Sequence, residues 1–274
     1  MDLIQIDLTK CTKCGSCVKV CPIDTIAMDE HGPKVISQHC IACGHCVAIC
    51  PSAALDNVRT PLANQIPLEK VPVLDEDTTA LFLRSRRSTR EFQNTPVPRE
   101  KIRQLLDIAR FAPTSGNSQG VSYHVIDDRN TLRSITSVTI DWLEDALQSP
   151  PYAGSRYAVP FAAHVTNYRQ NAQDVVLRDA PCLVIPIVDK GSLPIGRDNT
   201  FFSLAYAELF APSIGLGTCI TGFFDACATS GYQPLLDILN LPENMHVTGG
   251  LMVGYPKYTY RRLVDRNPLQ ITWK

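Results

Sequence analysis

The sequence predicts an α+β protein in two parts: a small cysteine-rich domain over residues 1–57 and a larger sheet-and-helix domain over 77–274. Three observations predict it. Eight of the 11 cysteines fall before residue 51, in two copies of one pattern. Pro61, Pro67 and Pro72 then punctuate a cysteine-free stretch, 58–76, which reads as an extended linker or as a strap over the second domain. From Asp77 onward, segments with helical spacing alternate with strand-like ones, a mixture that a layered α+β domain produces.

The elements follow in order. Asp29–Pro33 (sequence DEHGP) is a turn between the two cysteine copies. A short helix is expected just before Arg86. Ile102, Leu105, Leu106 and Ala109 recur at the i, i+3, i+4, i+7 spacing of an amphipathic helix. Residues 121–127 alternate like a strand, and 131–148 are helical, with Leu132, Ile135, Trp142, Leu143 and Ala146 on a broad apolar face. Residues 181–189 form an apolar run bounded by Pro and Gly, hence a buried strand. Residues 199–210 read as an unusually apolar helix, and 246–254 as the last strand.

Net charge is −1, which gives no electrostatic footprint for nucleic acid or an anionic membrane. The first residues, MDLIQIDLTKC, lack the basic and apolar regions of a signal peptide, and no apolar run is long enough to span a bilayer. A cytoplasmic protein is the expectation. Clustered cysteines without a signal peptide argue against disulfides and for metal.

Cys11-Thr-Lys-Cys14-Gly-Ser-Cys17-Val-Lys-Val-Cys21-Pro22 recurs as Cys40-Ile-Ala-Cys43-Gly-His-Cys46-Val-Ala-Ile-Cys50-Pro51. This is the doubled C-x2-C-x2-C-x3-C-P pattern of bacterial ferredoxins, which hold two [4Fe–4S] clusters. Three thiolates two residues apart on a curved loop converge on one cubane, while the fourth lies beyond the curve and reaches the other. Cys11, Cys14, Cys17 and Cys50 are therefore assigned to one cluster, and Cys40, Cys43, Cys46 and Cys21 to its partner. Structural zinc is the competing reading, but zinc favours paired C-x2-C knuckles and a longer spacer. His45 stands between two ligands and reads as a solvated or supporting residue.

Four weaker signals lie in the second domain. Arg86-Arg-Ser-Thr-Arg-Glu-Phe92 groups guanidiniums and hydroxyls that suit a phosphate, though a solvated basic run looks the same. Ala112–Gly120 offers Asn117 and Gln119 amides that suit a heterocycle, or an ordinary polar turn. Gly215-Leu-Gly217-Thr-Cys-Ile-Thr221-Gly222 lets backbone approach a flat ligand, or ends a helix. Gly254-Tyr-Pro256 precedes Arg261, Arg262 and Arg266.

Their order resembles the nitroreductase family over nearly all of residues 78–274. An R-x-S-x-R segment (residues 86–90) leads to an A-P-S/T…N-x-Q loop (residues 112–119) and, after Asp179-Ala-Pro181, to a long dimer-core helix near 198–214. A G-L-G-T…G turn, G-Y-P and Arg266-Asn-Pro-Leu269 complete it. The resemblance implies an FMN-binding homodimer with flavins at the subunit interface. It implies that Arg86, Arg87, Ser88 and Arg90 hold the phosphate and ribityl chain, and that Asn117 and Gln119 face the flavin or its ribityl chain. Ile220, Thr221 and Gly222 would line the reactive ring edge, and Arg262 or Arg266 would complete the phosphate site. Two departures stand out: Gly120-Val121 where many relatives have Pro-Trp, and Thr221 where several carry an acid.

The expected activity is an FMN- and iron–sulfur-dependent oxidoreductase. An external low-potential donor, such as a ferredoxin, would supply electrons through the two clusters to FMN. A nitro compound or quinone would be the small-molecule acceptor. The alternatives are a non-catalytic electron carrier or store for a partner redox protein, and a related reductase acting on halogenated or enoate substrates. No catalytic side chain is nominated, because the cofactor carries the chemistry. Cys182 reads as core, Cys219 lies in the flavin turn, Cys227 has no assigned role, and His124 and His164 read as structural.

Overall fold

A computed structural model of the chain describes residues 3–274. It divides into two compact units. One comprises the chain up to Asp75 together with Ser115–Ser118; the other comprises Glu76–Thr114 and Gln119–Lys274.

The first unit follows the sequence duplication. Its elements are β1 (Ile4–Ile6), α1 (Ser16–Lys19), β2 (Ile26–Asp29), β3 (Gly32–Val35), α2 (His45–Ala48) and β4 (Leu55–Asn57). β1 and β4 pair antiparallel, with Ile4 opposite Asn57 and Ile6 opposite Leu55. β2 and β3 form a hairpin at the predicted turn, where the Asp29 carboxylate accepts the N–H groups of His31 and Gly32. Each short helix is entered through a glycine in the left-handed region, Gly15 at φ 75° and Gly44 at φ 74°, where a side chain would be strained. Ile4, Ile26, Val47, Ala54 and Leu55 form the small core. Beyond β4 the chain folds back on itself, because Asp56 accepts from the Leu62 N–H and Asn57 from the Arg59 N–H.

The second unit contains α3 (Glu76–Ser85), α4 (Arg99–Ala109), β5 (Ser122–Ile126), α5 (Arg129–Ala146), α6 (Ala158–Asn171), β6 (Cys182–Asp189), α7 (Ile195–Phe210), β7 (Gly217–Ile220), α8 (Gly222–Thr229), α9 (Gln233–Leu239), β8 (Met245–Val247) and β9 (Leu251–Gly254). The sheet runs in the order β5-β6-β9-β7, all antiparallel, with β8 also paired to β6. Helices cover both faces. Leu183, Ile185 and Ile187 of β6 join Ile135, Leu143, Phe224 and Leu235 on one side, while Cys182 and Val184 join Leu105, Leu204 and Ala207 on the other. A strand covered twice needs apolar residues at every position, which explains the unbroken run of β6. The α+β expectation is met.

Helices α6, α8 and α9 were not expected from the sequence, and two further details differ from it. The single strand expected over 246–254 is two, β8 and β9, separated by Thr248–Gly250. A Cβ at Gly250 would sit 2.6 Å from the Phe224 ring, so the backbone there passes close over α8 and leaves the ladder. The Gly217 turn is also more ordered than expected, because 217–220 form β7. Helix α5 begins at Asp128, whose carboxylate accepts the Thr131 N–H at 2.8 Å and caps the first turn.

Candidate functional site

In the first unit, one cavity is lined by Cys21, Cys40, Cys43 and Cys46 together with Gly44, His45 and Asn57. Burial, and the proximity of Cys40, Cys43 and Cys21, push the Cys46 thiol up to about 11. Cys17 is likewise raised by burial, with Cys11 and Cys14 adding to the shift. Backbone N–H groups point at sulfur in matched pairs. Lys13 donates to Cys11 and Ala42 to Cys40, both at 3.4 Å; Thr25 donates to Cys21 at 3.3 Å and Ala54 to Cys50 at 3.2 Å. The Asn57 amide reaches the Cys40 sulfur at 3.7 Å. Donors aimed at sulfur stabilise thiolates, the form that iron requires. The donor set therefore fits two iron–sulfur clusters.

In the second unit, residues 86–92 run beside β7. Thr89 donates its N–H to the Thr218 carbonyl at 2.8 Å and turns its side chain inward, while Arg90 is exposed. Arg86 is held by Glu208, 3.3 Å away, and burial keeps that carboxyl above its ordinary range against the opposing pull of Arg86. The Arg87 guanidinium lies 5.3 Å from the Tyr260 ring centre, and the Tyr260 hydroxyl donates to the Ser88 carbonyl at 3.5 Å.

At the end of β7 lies a cavity of about 380 Å³. Of the residues singled out in the sequence, Arg90, Ile220, Thr221 and Gly222 line it together, and so does Cys219. The Thr221 hydroxyl donates to the Val176 carbonyl at 2.8 Å and its N–H to the Gly250 carbonyl at 3.0 Å, so α8 starts without a side-chain cap. A Cβ at Gly222 would meet no atom within 4 Å, which leaves the backbone there open to a flat ligand. Burial raises the Cys219 thiol, and the guanidiniums of Arg90 and Arg178 temper that rise. An open backbone, a positive charge and an apolar floor at Met252 and Val176 fit a flavin ring with its polar edge.

The other candidates are not gathered there. The Asn117 amide donates to the carbonyls of Ile41 and Ala42, at 2.8 and 3.0 Å, within the first unit. The Gln119 N–H is held by the Thr114 hydroxyl at 3.1 Å. Arg262 and Arg266 lie exposed beyond β9. Four aromatic side chains and Arg178 escaped the sequence reading. Tyr152, Tyr157, Phe161 and Phe223 share the cavity wall, and the nearest signal in the sequence was the Asp179-Ala-Pro181 tripeptide beside Arg178.

Comparison with known proteins identifies both parts of the chain. Residues 83–255 match the nitroreductase family, and residues 3–51 match the 4Fe-4S dicluster domain. The chain belongs to the nitroreductase family, whose match spans more than half of it, and carries a ferredoxin-type dicluster domain at its front. It is 25% identical over 177 residues to the FMN reductase [NAD(P)H] of Bacillus subtilis, a stretch that covers 64% of each protein. It is 26% identical over 196 residues to an NADH dehydrogenase of Thermus thermophilus, covering 68% of this chain and 89% of that one. It is also 26% identical to the nitrobenzene nitroreductase of Ectopseudomonas oleovorans, over 64% of this chain and 85% of that one. Among solved structures, an FMN-bound nitroreductase of Desulfitobacterium hafniense superposes with a TM-score of 0.56 at 17% identity, over 73% of this chain and all of that one. An iodotyrosine deiodinase does so with a TM-score of 0.55 at 20% identity, over 71% of this chain and 98% of that one. These structures establish the fold.

Proposed function

We propose that this protein is an FMN- and iron–sulfur-dependent oxidoreductase that takes electrons from a low-potential donor through two [4Fe–4S] clusters and reduces a small organic acceptor of the nitro or quinone class. The observation that carries the reading is the cavity at the end of β7, where Arg90, Ile220, Thr221 and Gly222 meet, in a chain that also carries the doubled cysteine pattern. When bound, the clusters supply one-electron transfer and FMN supplies one- or two-electron transfer.

The chain's own residues do the rest. Cys11, Cys14, Cys17 and Cys50 would hold one cluster, and Cys40, Cys43, Cys46 and Cys21 the other. The cavity lined by Cys21, Cys40, Cys43 and Cys46 supports that crossed assignment. Arg90 would place a fixed positive charge at the polar edge of the flavin, which favours the anionic reduced form. The open backbone at Gly222 admits the ring edge, and Thr221 is locked by its bonds to Val176 and Gly250. Arg87 and Ser88 would meet the phosphate, and Arg86 would approach it with its charge already partly answered by Glu208.

We read the active species as a homodimer. Ile195, Phe202 and Tyr206 leave an apolar face of α7 uncovered, which supports that reading. Among the described residues no helix is long and apolar enough to cross a membrane, and a cytoplasmic setting is part of the proposal. An anaerobic reductive titration of the cluster- and flavin-replete protein tests it. Two one-electron clusters and one flavin take up about four electrons per chain. Uptake of about two without flavin bands would sink the flavin half. Full uptake without turnover of any nitro compound or quinone would leave an electron carrier instead.

A further inference from the structure

The cavity at the end of β7 carries more than a flavin site needs. Two guanidiniums line it, Arg90 and Arg178, and no carboxylate does among its lining residues. Arg90 ends the R-x-S-x-R segment and is used by the reading above. Arg178 belongs to no motif. It is half-buried, in the left-handed region at φ 58°, and its side chain has no hydrogen-bond or ion-pair partner among the described residues. A guanidinium withdrawn from solvent without a partner is costly unless an anion completes it.

Part of the cavity lining is aromatic. Tyr157 stacks on Phe161 with ring centres 5.5 Å apart and 21° between planes. Phe161 meets the edge of Phe223 at 4.9 Å and 75°, and Tyr152 packs on Phe161 at 6.0 Å. Each of these four rings also lines the cavity. Offset and edge-on rings are the arrangement in which aromatic groups attract one another, so a further planar ring fits the wall. At about 380 Å³ the space is near the small end of ligand sites, which run from about 300 to 1,000 Å³. With a flavin ring in that space, what remains beside the aromatic side chains suits no more than a single-ring molecule.

From this we infer that the acceptor is a planar aromatic carboxylate, its ring against Phe161 and Phe223 and its carboxylate gripped by Arg178. The inference rests on the flavin reading above and deepens it. Arg is matched to the planar carboxylate by its paired donors, so the aromatic side chains and the guanidinium recognise the ring and the anion together. Arg178 is thus the specificity-determining residue, separating acid acceptors from their neutral counterparts.

The test uses the flavin- and cluster-loaded protein under anaerobic conditions. Benzoate, which cannot be reduced, is titrated into the oxidised protein and its binding is followed through the flavin absorbance. Saturable binding is expected, weakened at least ten-fold in R178Q and partly regained in R178K, with the flavin content of all three alike. In turnover, the kcat/KM for 4-nitrobenzoate relative to that for nitrobenzene is expected to fall at least ten-fold in R178Q. An equal loss with both acceptors, an unchanged ratio, or loss of flavin from R178Q would each overturn the assignment. The wild-type protein gives an independent arm: absent benzoate binding, or displacement of benzoate by a nicotinamide nucleotide, overturns it without any variant. If no acceptor is turned over yet benzoate binds through Arg178, the enzymatic reading fails and the anion site stands. If nitrobenzene is reduced and the acids are ignored, the reverse holds.

Discussion

The two units of this molecule keep their chemistry in different ways. In the first, eight cysteines lie within residues 11–50, and the glycine entry, the short helix and the Cys-Pro step around them occur twice. In the second, the cavity at the end of β7 takes Arg90 from a loop, Phe161 from α6, Arg178 from a segment before β6, Ile220 from β7 and Phe223 from α8. A ligand set written within forty residues depends on loop curvature. A set drawn from five places depends on the whole sheet being built. The difference teaches where each site is vulnerable.

Substitutions probe that contrast. The largest effect is expected from C46A, which takes one ligand from one cluster: bound iron falls from about eight to about four atoms per chain by iron analysis. Retention of all eight would remove Cys46 from the ligand set. Next comes F224A. Phe224 is fully buried beneath Gly250, and its removal is expected to cost the second unit about 3–5 kcal/mol in denaturant unfolding. Iron content should stay at the wild-type value, and a parallel loss of iron would erase the distinction between the units. R90A is expected to weaken FMN binding about ten-fold, read by fluorescence titration of the apoprotein; unchanged affinity would remove Arg90 from the flavin site.

Two smaller effects sharpen the picture of the second unit. D128A removes the cap of α5 and is expected to cost about 1 kcal/mol, seen as a lower denaturation midpoint with an unchanged slope. His164 supplies the pH dependence. Burial, and then the nearby Arg178, hold its imidazole below the ordinary value of 6.5. The unfolded chain therefore takes up this proton at a higher pH than the folded one does. Stability is lost as pH falls through 6.5 toward the lower folded value, and is fully present above it. Thermal midpoints near pH 7.5 and about 5.5 should converge in H164Q relative to wild type. Equal separations in both proteins would show that His164 contributes nothing to the slope.

The cysteine pattern was legible because spacing alone fixes its geometry: once Cys11, Cys14 and Cys17 are two residues apart, the loop has few ways to curve. Several of the second unit's elements were legible too, since α4 carries helical periodicity and β6 an unbroken apolar run bounded by Pro and Gly, whereas β7, α8 and α9 were not read. Nor was helix α6. It contains Pro160 and shows little difference between its faces, so nothing in 158–171 separates it from a loop. The break between β8 and β9 escaped because it comes from contact between Gly250 and Phe224, residues that only the fold brings together. The aromatic wall and Arg178 escaped for the same reason. Rings at 152, 157, 161 and 223 have no common period, and a lone arginine before Asp179 looks like any surface residue.

The first unit repeats itself more deeply than its letters. Lys13, Gly15 and Asp24 adopt left-handed backbone angles, and so do Ala42, Gly44 and Ala53, each separated from its counterpart by the same 29 residues that separate Cys11 from Cys40. Only the glycines match in identity. Lys with Ala, and Asp with Ala, trace one path with different side chains. The half-repeats are therefore interchangeable templates: a chain in which residues 40–56 are copied into 11–27 keeps every backbone angle that the domain uses. What individuality the two halves possess resides in side chains such as Ser16 against His45 and the exposed Lys13 against the buried Ala42, where a designer can edit one half while leaving the path of the other in place.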